Sequence, residues 1–289
     1  MLDVQTPNQM ITLLISCPDQ PGIVAAVSQF IFEHGGNIFQ SDQHSTDLHN
    51  GTFFMRVSFT EDSFRLSQPD LTSKFAPIAE VFHMHWSVYY SRHRKRAALL
   101  VSKLDHCLTD LLWRWSSGEL AMDISCILSN HPDLEPIAQR YHIPFYHFPI
   151  QKDHRLNDQM RMLEFLCGKV DFLVLARYMQ ILAPCLVNAY PHQIINIHHS
   201  FLPAFIGANP YQKAFERGVK IIGATAHYIT ENLDEGPIIA QDVIHCNHRD
   251  TLDDLIRKGR DVERRVLAEA VRLHTEERVL VYQNKTIVF

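Results

Sequence analysis

No stretch of this 289-residue chain reaches the roughly 18 consecutive apolar residues of a membrane-spanning helix, so a membrane is not an expected partner. The opening MLDVQTPNQM carries Asp3 and no apolar core, so no secretory leader is expected and the expected compartment is the cytoplasm. There is no basic excess. Lys and Arg number 27 against 32 Asp and Glu, a net charge of −5, which argues against nucleic acid as a partner. None of the six cysteines (17, 107, 126, 167, 185 and 246) forms a Cys-x-x-Cys pair, and most sit in apolar stretches. Free, buried thiols are therefore expected rather than a disulfide framework or a thiolate zinc site. Internal repeats and low-complexity segments are lacking too. What the chain does have is 46% hydrophobic residues, enough to bury one large core or two modest ones, and 18 histidines.

The first ninety residues predict a small α+β unit. Gln9 to Cys17 is β-rich, and Cys17-Pro-Asp-Gln-Pro-Gly22 is turn chemistry. Ile23, Val24, Val27, Phe30 and Ile31 fall at helical spacing, and Gly35-Gly36-Asn37 ends that helix. Strands are expected over Ile38–Thr46 and Thr52–Thr60, joined by a hairpin signal at His49-Asn50-Gly51. A helix interrupted by Pro77 is expected over Gln68–Phe82, then a strand at Val88–Tyr90. The order β-α-β-β-α-β is the ferredoxin-like motif. The basic run Arg92–Arg96 is expected to be a solvated linker. That places the boundary between an N-terminal domain, 1–92, and a second, 93–289. Beyond it, short apolar strands at Ala97–Val101, Ile124–Leu128, Phe172–Ala176 and Ile194–Ile197 alternate with helical stretches. This pattern predicts a Rossmann-like, mostly parallel sheet covered on both faces, with ligands at the carboxyl ends of its strands.

Two segments carry chemistry. In Ile194–Phe205, IINIHHSFLPAF, Asn196 and His198 stand two apart at a strand end and so share a face. An amide that steadies an oxyanion beside an imidazole that moves a proton suits acyl transfer. An Asn that caps backbone groups and a core histidine account for the same residues. In Gly223–Ile239, GATAHYITENLDEGPII, a strand containing His227 runs into a polar loop with Asp234 ahead of Gly236-Pro237.

Together the segments resemble the signature of the folate-dependent formyltransferases. The resemblance spans roughly 96–289 and includes Ser200, Leu202, Pro203, Gly207, Gly223 and His227. It implies that Asn196, His198 and Asp234 are catalytic. The stretch Leu173–Pro184, LVLARYMQILAP, is similar to that family's pterin-binding segment, with Gln180 where the transferases commonly have Arg. By resemblance, Met179, Gln180, Leu182, His199, His227, Ile229 and Thr230 contact the folate, largely through backbone. The N-terminal unit resembles an ACT module. ACT followed by formyltransferase, with His198-His199-Ser200 in place of His-Pro-Ser, resembles the formyltetrahydrofolate deformylase family. That implies hydrolysis of 10-formyltetrahydrofolate to tetrahydrofolate and formate, in one-carbon metabolism and purine supply. It further implies no cofactor, no metal, a homo-oligomer, and an ACT unit that either binds glycine or methionine as effector near Asp19, Gly22 and Asn37 or serves only as a dimerisation surface.

One feature favours water over an acceptor independently. After the strand Ala97–Val101 comes Ser102-Lys-Leu-Asp-His-Cys107, with no glycine to cradle an acceptor's phosphate and with Asp105 to repel it. Three other readings stand beside this one: a formyl transferase with an unidentified acceptor, a zinc hydrolase using His198, His199, His227, His245 and His248, and an amino-acid sensor without catalysis.

Overall fold

The computed structural model describes residues 9–47, 50–151, 153–204 and 210–289. The chain divides into two compact units between His93 and Arg94. The first contains β1 (Met10–Pro18), α1 (Ile23–Glu33), β2 (Ile38–Ser45), β3 (Thr52–Thr60), α2 (Gln68–Val81) and β4 (His85–Tyr90). The strands form one antiparallel sheet in the order β2-β3-β1-β4, the ferredoxin-like arrangement. Alternate β1 residues Ile11, Leu13 and Ile15 share a core with Val27, Phe30 and Ile31 of α1 and Leu71 and Phe75 of α2. Gly22, at φ 97°, makes the left-handed turn that starts α1, a conformation glycine adopts without a Cβ penalty. Pro77 does not interrupt α2. The helix runs through it, and burial of Leu71, Phe75 and Ala79 at four-residue spacing offsets the missing hydrogen bond. Of the hairpin signal, His49 lies outside the described residues.

The second unit continues with β5 (Lys95–Val101), α3 (His106–Ser116), β6 (Met122–Ser129), α4 (Glu135–Arg140), β7 (Phe145–His147), α5 (Arg155–Leu166) and β8 (Phe172–Leu175). It goes on with α6 (Pro184–Ala189), β9 (Ile194–His198), α7 (Pro210–Arg217), β10 (Ile221–Tyr228), β11 (Ile238–His245) and α8 (Leu252–Thr275), and a hairpin, β12 (Val279–Tyr282) and β13 (Lys285–Val288), follows. The seven-stranded sheet has the order β11-β10-β9-β8-β5-β6-β7. It is parallel from β9 to β7, and β10 runs antiparallel to both β9 and β11. The period of two along the strands feeds both faces. Leu99, Val101 and Val174 pack with Leu108 and Leu112 of α3 and Val266 of α8, whereas Leu100, Leu173 and Leu175 pack with Met162 of α5 and Leu186 of α6. Helix α8 starts at a capping box between Thr251 and Asp254. Among the described residues no helix is long and apolar enough to cross a membrane.

The basic run Arg92–Arg96 is not all linker. Lys95 and Arg96 open β5. Lys95 pairs with Glu277 at 2.8 Å and Arg96 grips both carboxylate oxygens of Asp171, so these two charges are committed to structure. Three elements carry no periodic signal: β7, α6 and α7 have three, six and eight residues, too few for a pattern to show.

Candidate active site

Strand β9 ends at His198, where the sheet changes from parallel to antiparallel pairing. On β10, His227 stands opposite Asn196. The loop after β10 then returns, with Asp234 at φ 57°, and places its carboxylate beside both histidines. Asp234 Oδ1 lies 3.3 Å from His198 Nδ1 and 3.8 Å from His227 Nε2. Asn196 Nδ2 lies 3.2 Å from His227 Nε2. His227 Nδ1 lies 3.0 Å from the Tyr228 carbonyl, which only accepts, so Nδ1 carries the proton. Nε2 is then the acceptor for the Asn196 amide. The Asn196 orientation and its second N–H follow from that tautomer.

Electrostatics sharpen these roles. The hydrogen bond from His198 holds the Asp234 carboxyl below its ordinary value, against burial, which works the other way. Burial lowers the pKa of His227, keeping it neutral. Burial first, and then the Arg177 cation, lower that of His199 to about 4. His198 Nε2 is buried and has no hydrogen-bond partner.

These side chains line a cavity of about 470 Å³. All the folate-contact residues expected from the sequence, Met179, Gln180, Leu182, His199, His227, Ile229 and Thr230, line it with Asn196, His198 and Asp234. Gly207, part of the sequence motif, lies outside the described residues. Sequence reasoning missed the residues that hold the cavity's rim. Gln159, buried on α5, donates to Ile181 O at 2.9 Å and accepts from Ala183 N. Ser102 Oγ accepts from Met179 N at 2.9 Å. Thr225 Oγ1 accepts from Leu202 N and donates to Ser200 O, fixing the loop after β9. Arg177, at φ 64° just past β8, is buried against the cavity. Gln159 did leave a signal, since it takes a core-facing position in register with Met162 and Leu166.

The structure does not gather the three residues named for an effector. Asp19 N donates to Gly51 O, next to the start of β3, and Asn37 O accepts from Thr60 N at its end. Nine residues of strand separate them by about 27 Å at 3.4 Å per residue. A single amino acid therefore cannot touch Asn37 and the Asp19–Gly22 turn of one copy. Of the histidines named for zinc, His198, His199 and His227 line this cavity, but His245 does not join them. His245 pairs with Ile221 at the far end of β10 from His227. Among the described residues, three such ligand groups lie mutually within 4.8 Å only at His106, Cys107 and Glu263. There the carboxylate already accepts from His106 Nε2 and Tyr211 Oη and faces Arg177, a donor set suited to sharing protons.

Comparison with known proteins bears on both units. Residues 95–271 match the formyl transferase family and 11–68 match the ACT domain. The chain is 56% identical to a formyltetrahydrofolate deformylase of Synechocystis over 98% of its length and 99% of that protein's. It is 53% identical to one of Bacillus subtilis, over 96% and 93% of the two chains. The crystal structure of a formyltetrahydrofolate deformylase from Pseudomonas syringae superposes with a TM-score of 0.96 at 48% identity, covering 100% of this chain and 96% of that one.

Proposed function

This chain belongs to the formyltetrahydrofolate deformylases, and on that premise we propose that it hydrolyses 10-formyltetrahydrofolate to tetrahydrofolate and formate. The observation that carries the reading is the meeting of Asn196, His198 and Asp234 on one wall of a cavity large enough for a pterin. A pterin presents alternating donors and acceptors along one edge. Met179–Leu182 and Ile229–Asp234 both line the cavity, and by resemblance their backbone is what meets that edge.

Asn196, held by neutral His227, turns its second N–H toward the formyl oxygen, a contribution of about 2.7–4 kcal/mol at comparable sites. Asp234, ionised and hydrogen-bonded to His198 Nδ1, orients the attacking water. The water's oxygen bonds to the formyl carbon and its proton passes to the Asp234–His198 pair. The pair returns a proton to the nitrogen as the C–N bond breaks. Formic acid leaves and loses its proton to solvent. The aryl substituent on that nitrogen makes it a better leaving group than an ordinary amide nitrogen. The step balances with water, the formyl amide and these side chains, so no cofactor is written into it.

The wider expectations belong to the same proposal. The enzyme works in the cytoplasm as a homo-oligomer, returns tetrahydrofolate to the one-carbon pool and supplies formate for purine synthesis. Its ACT unit senses an amino acid, glycine or methionine, at the Asp19–Gly22 turn, where Asp19 accepts from Ser45 Oγ at 2.6 Å.

The test is incubation with 10-formyltetrahydrofolate and EDTA and no acceptor. Stoichiometric formate and tetrahydrofolate, lost in Asp234→Asn, are expected. Release that depends on an added amine would point to a transferase, and release that depends on an added metal would overturn the mechanism.

A further inference from the structure

A second cavity, of about 420 Å³, adjoins the one just described and shares Arg177 and His199 with it. Its wall includes His106, Tyr211 and Glu263, with Ile256 and Arg260 from α8. Glu263 is almost wholly buried, and its charge is already engaged by His106, Tyr211 and Arg177. Arg177 differs. It is more than nine-tenths buried, yet its Nε makes no hydrogen bond, and only a loose ion pair with Glu263 Oε2, at 3.4 Å, faces it. The Nδ1 of His106, on the same wall, is also buried and without a partner. A buried guanidinium N–H that makes no hydrogen bond is costly, and so is a non-glycine residue at φ 64°. Two arginines against one committed carboxylate leave this cavity with a formal positive charge.

We infer that Arg177 and the second cavity form a small-carboxylate subsite that receives formate and lets it leave while the folate still fills the first cavity. This rests on the hydrolytic reading, because formate is the product that needs a way out. The chemistry is that of guanidinium and carboxylate, a charge-assisted contact between Arg177 and the newly formed anion. Arg260, exposed on α8, offers the same attraction from solvent.

The test measures binding without turnover: ¹³C-formate is titrated by NMR into protein saturated with tetrahydrofolate. Formate is expected to bind this complex. Arg177→Gln should weaken it by about tenfold, the loss expected for one charge-assisted hydrogen bond, and Arg177→Lys should restore most of it. Ile256→Trp, which fills only the second cavity, should weaken formate binding comparably and leave tetrahydrofolate affinity within about twofold. Should that variant fail to fold, Arg260→Gln, a surface change, should weaken formate measurably. Displacement of formate by tetrahydrofolate, or formate binding unchanged in these variants, would overturn the subsite. A protein that binds formate in this way but releases none from 10-formyltetrahydrofolate would instead refute the hydrolytic reading.

Discussion

In the proposed mechanism Asp234 and Asn196 contribute to different terms of the same barrier, so their variants separate. Asp234→Asn keeps the shape of the loop but removes the base, and kcat is expected to fall by about 10²–10⁴ with tetrahydrofolate affinity nearly unchanged. Asn196→Ala removes one oxyanion donor and is expected to cost about 10²–10³ in kcat. Stopped-flow turnover beside equilibrium titration of tetrahydrofolate reads both. A loss confined to KM would remove either residue from the chemistry. At this scale the shared face of Asn196 and His198 was legible, because a two-residue spacing on a strand fixes it; that Asp234 joins them was implied by the resemblance alone. Arg177 was not, because nothing in ARYM announces a left-handed backbone or a second cavity behind it. Asn37 was misplaced because the glycines beside it mark a turn without saying at which end of β3 that turn lies.

Two glycines let elements approach one another. A Cβ on Gly236 would collide with the Tyr228 carbonyl, so the loop carrying Asp234 is laid directly on the end of β10. Gly236→Ala is expected to move Asp234 and lower kcat by at least about tenfold, while melting of the protein changes little. Gly259 sits inside α8 beneath the Tyr211 ring, and a Cβ there would occupy the tyrosine's place over Glu263. Gly259→Ala gains helix propensity but overpacks this contact, with an expected net cost of about 1–2 kcal/mol in chemical denaturation. A variant as stable as the parent would show that Tyr211 can move aside freely. Elements such as α1 and β3 were legible from periodicity. The six-residue α6 and eight-residue α7 were not, since their burial is decided by the sheet they pack on.

For the molecule as a whole, buried neutral histidines set an acid limit. His199 titrates at about 4 in the folded chain, chiefly through burial, against about 6.5 when unfolded. His274, fully buried between Tyr228 and Lys95, is likewise lowered. The unfolded chain therefore binds more protons, and stability falls as pH drops from about 6.5 toward 4. His199 contributes at most about 3 kcal/mol of this. Melting temperature followed from pH 7 to 4 should fall less steeply in His199→Gln, and parallel curves would rule His199 out as the titrating group.

The active cavity exists only in one pairing of β9 with β10, His227 against Asn196 and Thr225 against His198. A slip of one residue turns His227 to the opposite face and leaves Asn196 without its support. Catalysis is thus a faithful reporter of strand alignment. In a refolding experiment the recovered turnover counts only correctly registered molecules, and a population whose strands have paired one place out is expected to be inactive.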